Sequence, residues 1–313
     1  MAMLLHAQIA SNKRRTWLLV IVFLLLFIAV GAAFGIVVAD DGIVGIVMAA
    51  IIGVIYVLFM TAAGTRVVMA MNHAREIKSE DENPFLWNTV EALAIAARLP
   101  MPRVYIIDDP SPNAFAAGMS PKNAAVAVTT GLLDRLNRQE IEGVIAHEIA
   151  HIQNYDVRLA TTAVALVSVI GILSDLAGRM LWYSSWSRGM SSSNRRDRRD
   201  DSRNNQSQAI IQLVAFLILL LAPLVAVLLQ LAISRNREYL ADASGAELCR
   251  NPEALASALR KISQAPEPVQ AASRTCAALY ISDPTKKQAR AKVNWFSTHP
   301  PTEERIRRLE QMM

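Results

Sequence analysis

The stretch His147-Glu148-Ile149-Ala150-His151 decides how the chain is read. Two imidazoles stand four residues apart with a carboxylate beside the first. On an α-helix, positions i and i+4 share one face, so His147 and His151 can grip one metal ion together. Glu148 lies about 100° round the helix from His147, close enough to act on a water that the ion activates. The chain has only 5 histidines, and two of them fall at this spacing. Asn137 followed by Glu140 marks the helix start, a capping residue with an acid three positions on. From there Ile141, Val144, Ile145, Ile149 and Ile152 recur at helical spacing and define a buried stripe. Glu148 projects into that stripe. A carboxylate on an apolar face is costly unless a cation compensates it.

A catalytic zinc site needs a third protein ligand. Glycine and histidine three and six residues beyond His151 would supply one pattern, but Asn154 and Val157 stand there. Arg237-Glu238-Tyr239-Leu240-Ala241-Asp242 offers another. Glu238 would complete a site of two histidines and one carboxylate, leaving the fourth position open. Asp242, on the same helical face, could accept a hydrogen bond from a ligand imidazole and fix its tautomer. The plainer reading is a solvated face with Glu238 paired to Arg235 or Arg237.

Composition says where this chemistry sits. The chain has 313 residues, 53% of them hydrophobic, and a positive mean hydropathy, too apolar for a wholly soluble enzyme. Trp17 to Val38 and Gly42 to Gly64 carry no charge, and each is long enough to cross a bilayer. The first lacks a small-residue cleavage site and reads as an anchor. Ala209 to Ile233 is a third strong segment; Leu159 to Leu173 is a weaker one. Lys13, Arg14 and Arg15 precede the first span, and Arg66, Arg75 and Lys78 follow the second. The positive-inside rule then puts the N-terminus and the motif helix in the cytoplasm. His151 and Glu238 flank the second pair of segments and must meet one ion. Both segments therefore cross, or neither does. Two crossings would place the Arg-rich loop 184–208 outside, against the positive-inside rule; the alternative is a hairpin in or on the cytoplasmic leaflet. Ser191 to Gln208 reads as polar and disordered.

Four regions result: a membrane region 1–64, a first catalytic stretch 65–156, a hydrophobic hairpin 157–233, and a second catalytic stretch 234–313. Asn83 to Leu99 reads as an amphipathic helix, with Arg103 to Ile107 and Ala124 to Thr129 as strands. Strands ahead of the motif helix would leave an edge beside the metal to which an extended peptide can add. The net charge of +5 comes from dispersed or membrane-flanking residues without aromatic platforms, so no nucleic acid partner is expected. Cys249 and Cys276 are too few for a disulfide framework and read as packing residues.

Asn113-Ala114-Phe115-Ala116-Ala117-Gly118, His147 to His151, the Glu238 and Asp242 pair and Ser297-Thr298-His299-Pro300-Pro301 follow one another along the chain. With the membrane segments, they resemble the HtpX family of bacterial membrane zinc metallopeptidases, related to the CAAX prenyl proteases. The resemblance implies a mainly α, multi-pass membrane protein carrying a cytoplasmic zincin-like α+β protease domain with a small sheet. It implies one Zn2+ on His147, His151 and Glu238, Glu148 as the catalytic carboxylate, and Asp242 behind a ligand. It implies His299 as a donor to the oxyanion, Arg305 as a basic group nearby, and Asn113, Ala114 and Phe115 along the substrate groove. The expected partners are the lipid bilayer and polypeptides, chiefly misfolded or damaged membrane proteins cut at the bacterial inner membrane. The competing reading is a non-catalytic membrane scaffold with a structural zinc site. Such sites are normally closed by four protein ligands, often cysteines, and three ligands without a nearby cysteine favour catalysis.

Overall fold

The computed structural model describes residues 2–190, 235–272, 274–284 and 300–313. The segment 209–233, most of the Arg-rich loop and His299 lie outside them. The described residues form two compact units. One holds 2–17, 63–165 and the described residues after 234; the other holds 18–62 and 166–190.

Helices α1 (Ala2–Ala39) and α2 (Gly42–Met71) contain the two leading apolar runs. Ala7–Ile36 and Gly42–Met71 are long and apolar enough to cross a membrane. A helix is the form such a run takes in lipid, because it satisfies every backbone group internally. Asp41 accepts from the Ile43 N–H at 2.8 Å and so caps α2. The helices touch at glycines: a Cβ on Gly45 would stand 2.0 Å from the Gly31 carbonyl oxygen. Ile43, Met48, Ile55 and Leu58 are exposed, an apolar surface suited to lipid.

Strands β1 (Arg75–Ile77), β2 (Arg103–Ile107), β3 (Ala114–Ala117) and β4 (Ala125–Thr129) form one sheet in the order β1-β2-β4-β3. β1 is antiparallel to β2, β2 parallel to β4, and β3 antiparallel to β4, with Ala114 opposite Val128. Alternate side chains enter two cores. Val104, Ala114, Ala116, Val126 and Val128 pack on one face; Tyr105, Ile107, Phe115, Ala125 and Ala127 pack on the other. Both faces are covered, so every residue of β3 and β4 is buried, and all but Thr129 are apolar. The two expected strands are present, within a residue of their expected limits. β1 and β3 are additional.

The first core is closed by helices. α3 (Pro84–Ala96) starts as expected at Asn83, whose side chain accepts from the Leu86 N–H, and it stops three residues early. After the short α4 (Thr130–Arg135), α5 (Arg138–Gln153) carries the motif. Its capping box is complete: Asn137 Oδ1 accepts from the Glu140 N–H at 2.9 Å, and Glu140 Oε2 from the Asn137 N–H at 2.8 Å. Buried Glu140 also receives Ser257 Oγ and Lys261 Nζ, both at 2.7 Å, tying α5 to α8 (Pro252–Gln264). α6 (Asp156–Met190) takes up the expected weak segment; over Asp156–Ile172 it leaves α5 at 81°.

Candidate metal centre

α5 and α7 (Arg235–Cys249) lie close enough to share a site because Gly245 faces the α5 backbone. A Cβ there would stand 2.9 Å from both Cα and N of His147. That contact brings Glu238 and Asp242 of α7 over His147 and His151 of α5. His147, His151 and Glu238 offer three ligand atoms within 4.8 Å of one another. Nε2 of His147 lies 4.0 Å from Glu238 Oε2, and Nε2 of His151 lies 3.5 Å from Glu238 Oε1. The two rings stand edge to face with centroids 4.6 Å apart. Two imidazoles and a carboxylate around one gap suit a borderline cation that takes nitrogen and oxygen donors.

Each imidazole has a carboxylate behind it. Nδ1 of His147 is 3.0 Å from Asp242 Oδ1, and Nδ1 of His151 is 3.0 Å from Asp156 Oδ2. Both pairs leave Nε2 facing Glu238, the usual way a carboxylate orients a ligand histidine. Asp242 is fixed in turn by Arg305 of α9 (Thr302–Glu310), whose Nη2 and Nε donate to it at 2.7 and 2.8 Å. Nη1 of Arg305 donates to the Ile281 carbonyl at 2.9 Å, and Nη2 comes within 3.4 Å of His147 Nε2. Arg305, expected as a basic group near the site, is fully buried there and holds the Asp242 carboxylate.

Glu148 is 1% exposed. Burial pushes its carboxyl up to about 7, partly countered by a positive His151, Arg305 and a hydrogen bond from the Ala116 N–H of β3. Burial also lowers the pKa of His147, against the pull of Asp242. For His151 burial acts downward too, but Asp156, Glu238 and Glu148 outweigh it and raise the value to about 9. Burial would raise Asp242, yet Arg305 and His147 bring it down to about 2.

Asn113, Ala114 and Phe115 reach the same neighbourhood and are buried. Asn113 Nδ2 donates to the Ser282 carbonyl at 2.9 Å, and Phe115 packs against Tyr280 with centroids 4.8 Å apart. The outer edge of β3 is already engaged: Phe115 is bridged antiparallel to Tyr280, and the Ile281 N–H donates to the Ala114 carbonyl at 2.9 Å. Sequence reasoning missed that edge contact and missed Asp156. Asp156 is five residues from His151, off the helical face, and reaches it only because the chain turns between α5 and α6.

A helix bearing two histidines and a buried glutamate, completed by a carboxylate from a second helix, defines a metallopeptidase class. The chain belongs to peptidase family M48, which it matches over residues 80–313. It is 50% identical over 309 residues to a "Protease HtpX homolog" of Listeria monocytogenes serotype 4a (strain HCC23), covering 99% of this chain and all of that one. Proteins of the same description from Leuconostoc citreum (strain KM20) and Levilactobacillus brevis (strain ATCC 367) are 51% and 52% identical, at the same coverage. A crystal structure of S. mikatae Ste24p is similar with a TM-score of 0.47 and 20% identity, over 92% of this chain and 62% of that one. The protein is a membrane metalloprotease, and its substrates are polypeptides.

Proposed function

We propose that the chain is a zinc-dependent endopeptidase of the bacterial inner membrane that cuts misfolded or damaged membrane proteins from the cytoplasmic side. The observation that carries this reading is the meeting of His147, His151 and Glu238 beside a buried Glu148. One Zn2+ held by those three ligands would supply a Lewis acid to polarise the scissile carbonyl and acidify the attacking water.

Glu148 takes the proton of that water and passes it to the leaving amine nitrogen. A carboxylate held beside the ligand histidines is placed for both halves of the transfer. Glu148 is buried on α5 between the two histidines. Asp242 and Asp156 keep the two imidazoles turned with Nε2 inward, and Arg305 keeps Asp242 ionised and in place. His299 remains the candidate donor to the oxyanion on the family pattern.

On the family pattern, Asn113, Ala114 and Phe115 would line the groove that holds an extended substrate backbone. Main-chain pairing makes little demand on side chains but needs an extended segment, which a folded domain does not present. The site therefore selects for unfolding. The apolar helices α1 and α2 hold it at the bilayer, where damaged membrane proteins are found. The cytoplasmic orientation rests on the basic residues flanking those helices.

The test is cleavage of one membrane protein in folded and unfolded forms by the full chain in detergent. Zn2+-dependent cutting of the unfolded form, stopped by a chelator and restored by Zn2+, is expected. Equal cutting of the folded form would contradict the quality-control reading.

A further inference from the structure

Asp156 stands at the start of α6 and serves two partners. Oδ2 faces His151 Nδ1 at 3.0 Å, while Oδ1 accepts from Asn12 Nδ2 of α1 at 2.6 Å. The same amide donates to the Asn154 carbonyl at 3.0 Å. Asn12 and Asn154 are fully buried, and Asp156 is 5% exposed. Lys13 places Nζ 4.3 Å from the centroid of the Tyr155 ring, and Tyr155 holds the left-handed conformation (φ 59°) that turns the chain. Thr16 Oγ1 donates to the Asn12 carbonyl one turn further on, where the apolar run begins. The corner 154–156 is therefore gripped, residue by residue, from the first helix. Among the described residues, Arg237 also approaches Asp156, with Nε 3.9 Å from Oδ1.

We propose that Asn12 is a positioning residue of the metal centre. It fixes Asp156, which fixes the His151 ring and so presents Nε2 to the ion. The first helix is then a working part of the site as well as an anchor. A carboxylate whose second oxygen is anchored cannot swing away from the imidazole it orients, and outer partners of this kind typically set metal affinity by tenfold or more. The inference rests on the zinc reading above. It differs from a plain packing role for Asn12 in what it predicts for the metal.

The test uses the full chain in detergent, stripped of metal. Co2+ binding is read by visible absorption, Zn2+ affinity by competition with a chromophoric chelator, and the folding of the metal-free protein by Tm. Asn12→Ala is expected to weaken Zn2+ binding about tenfold and to alter the Co2+ spectrum. Asp156→Asn should do the same, and adding Asn12→Ala to it should change affinity by less than about twofold, since both act through one path. Arg14→Ala, on the exposed side of the same helix, should bind metal as wild type does. If Asn12→Ala fails to fold, Asn12→Ser replaces it under the same criteria. Unchanged Zn2+ affinity and Co2+ spectrum in the Asn12 variant, whatever its Tm, would overturn the proposal, as would independent effects of the two substitutions. A wild type that binds no Co2+ would overturn the zinc reading itself.

Discussion

At the scale of single residues, the centre is a set of imidazoles held from behind. Arg305 is the most constrained member, since one guanidinium serves Asp242 with two nitrogens and the Ile281 carbonyl with a third. Arg305→Met would leave Asp242 buried without its cation, and breaking such a pair costs about 3–5 kcal/mol. A large fall in denaturation midpoint is expected. Arg305→Lys should recover only part of it, because an ammonium cannot reproduce the fork. His147, Glu148, His151, Glu238 and Asp242 were legible in the sequence because each pair obeys a local helical period. Asp156 and Asn12 were not. Their contact spans 144 positions and exists only where three helices meet at a sharp turn.

At the scale of elements, close approach and capping set the frame. Gly245→Ala would drive a methyl into the α5 backbone at His147. Backbone, unlike the end of a side chain, cannot step aside cheaply, so a loss of about 1–3 kcal/mol is expected. Zn2+ affinity should fall with it, measured beside the denaturation midpoint. Glu140 supplies a pH test. Burial works to raise its pKa, but Lys261, Ser257 and the Asn137 N–H outweigh burial and lower it. A carboxyl lowered in the fold stabilises above its unfolded pKa, and that stability is lost as pH falls through the folded value. Lys261→Met should therefore move the acid-unfolding midpoint to higher pH, read by circular dichroism. α3, β2, β4 and the start of α5 were legible because caps and apolar periods mark them. β1 is three residues long, too short for a period to show. β3 reads Ala-Phe-Ala-Ala, three of whose residues have little strand preference; tertiary burial on both faces makes it a strand.

At the scale of the whole molecule, two apolar helices precede a domain whose parts are far apart in sequence. Uncharged runs of bilayer length are the strongest signal a sequence carries, so α1 and α2 were plain from the start. The inserted hydrophobic segments were harder to read. Leu159 to Leu173 belongs to one continuous 35-residue helix, and its three hydroxyl-bearing residues dilute the apolar signal. A reporter fused after Gly64 or at Met313 should read as cytoplasmic, and one inserted at Asp40 as external. An external reading after Gly64 would reverse the proposed orientation and put the metal site on the other side of the membrane.

The most direct measurement compares wild type with Glu148→Gln, both as full chains in detergent, kept in chelator until Zn2+ is added. Zinc content and cleavage of an unfolded protein are measured on the same samples. Equal zinc in both, with cleavage slower in the variant by about 10²–10⁴-fold, is expected of a general base at Glu148. Equal zinc with equal cleavage would contradict that assignment and the mechanism built on it.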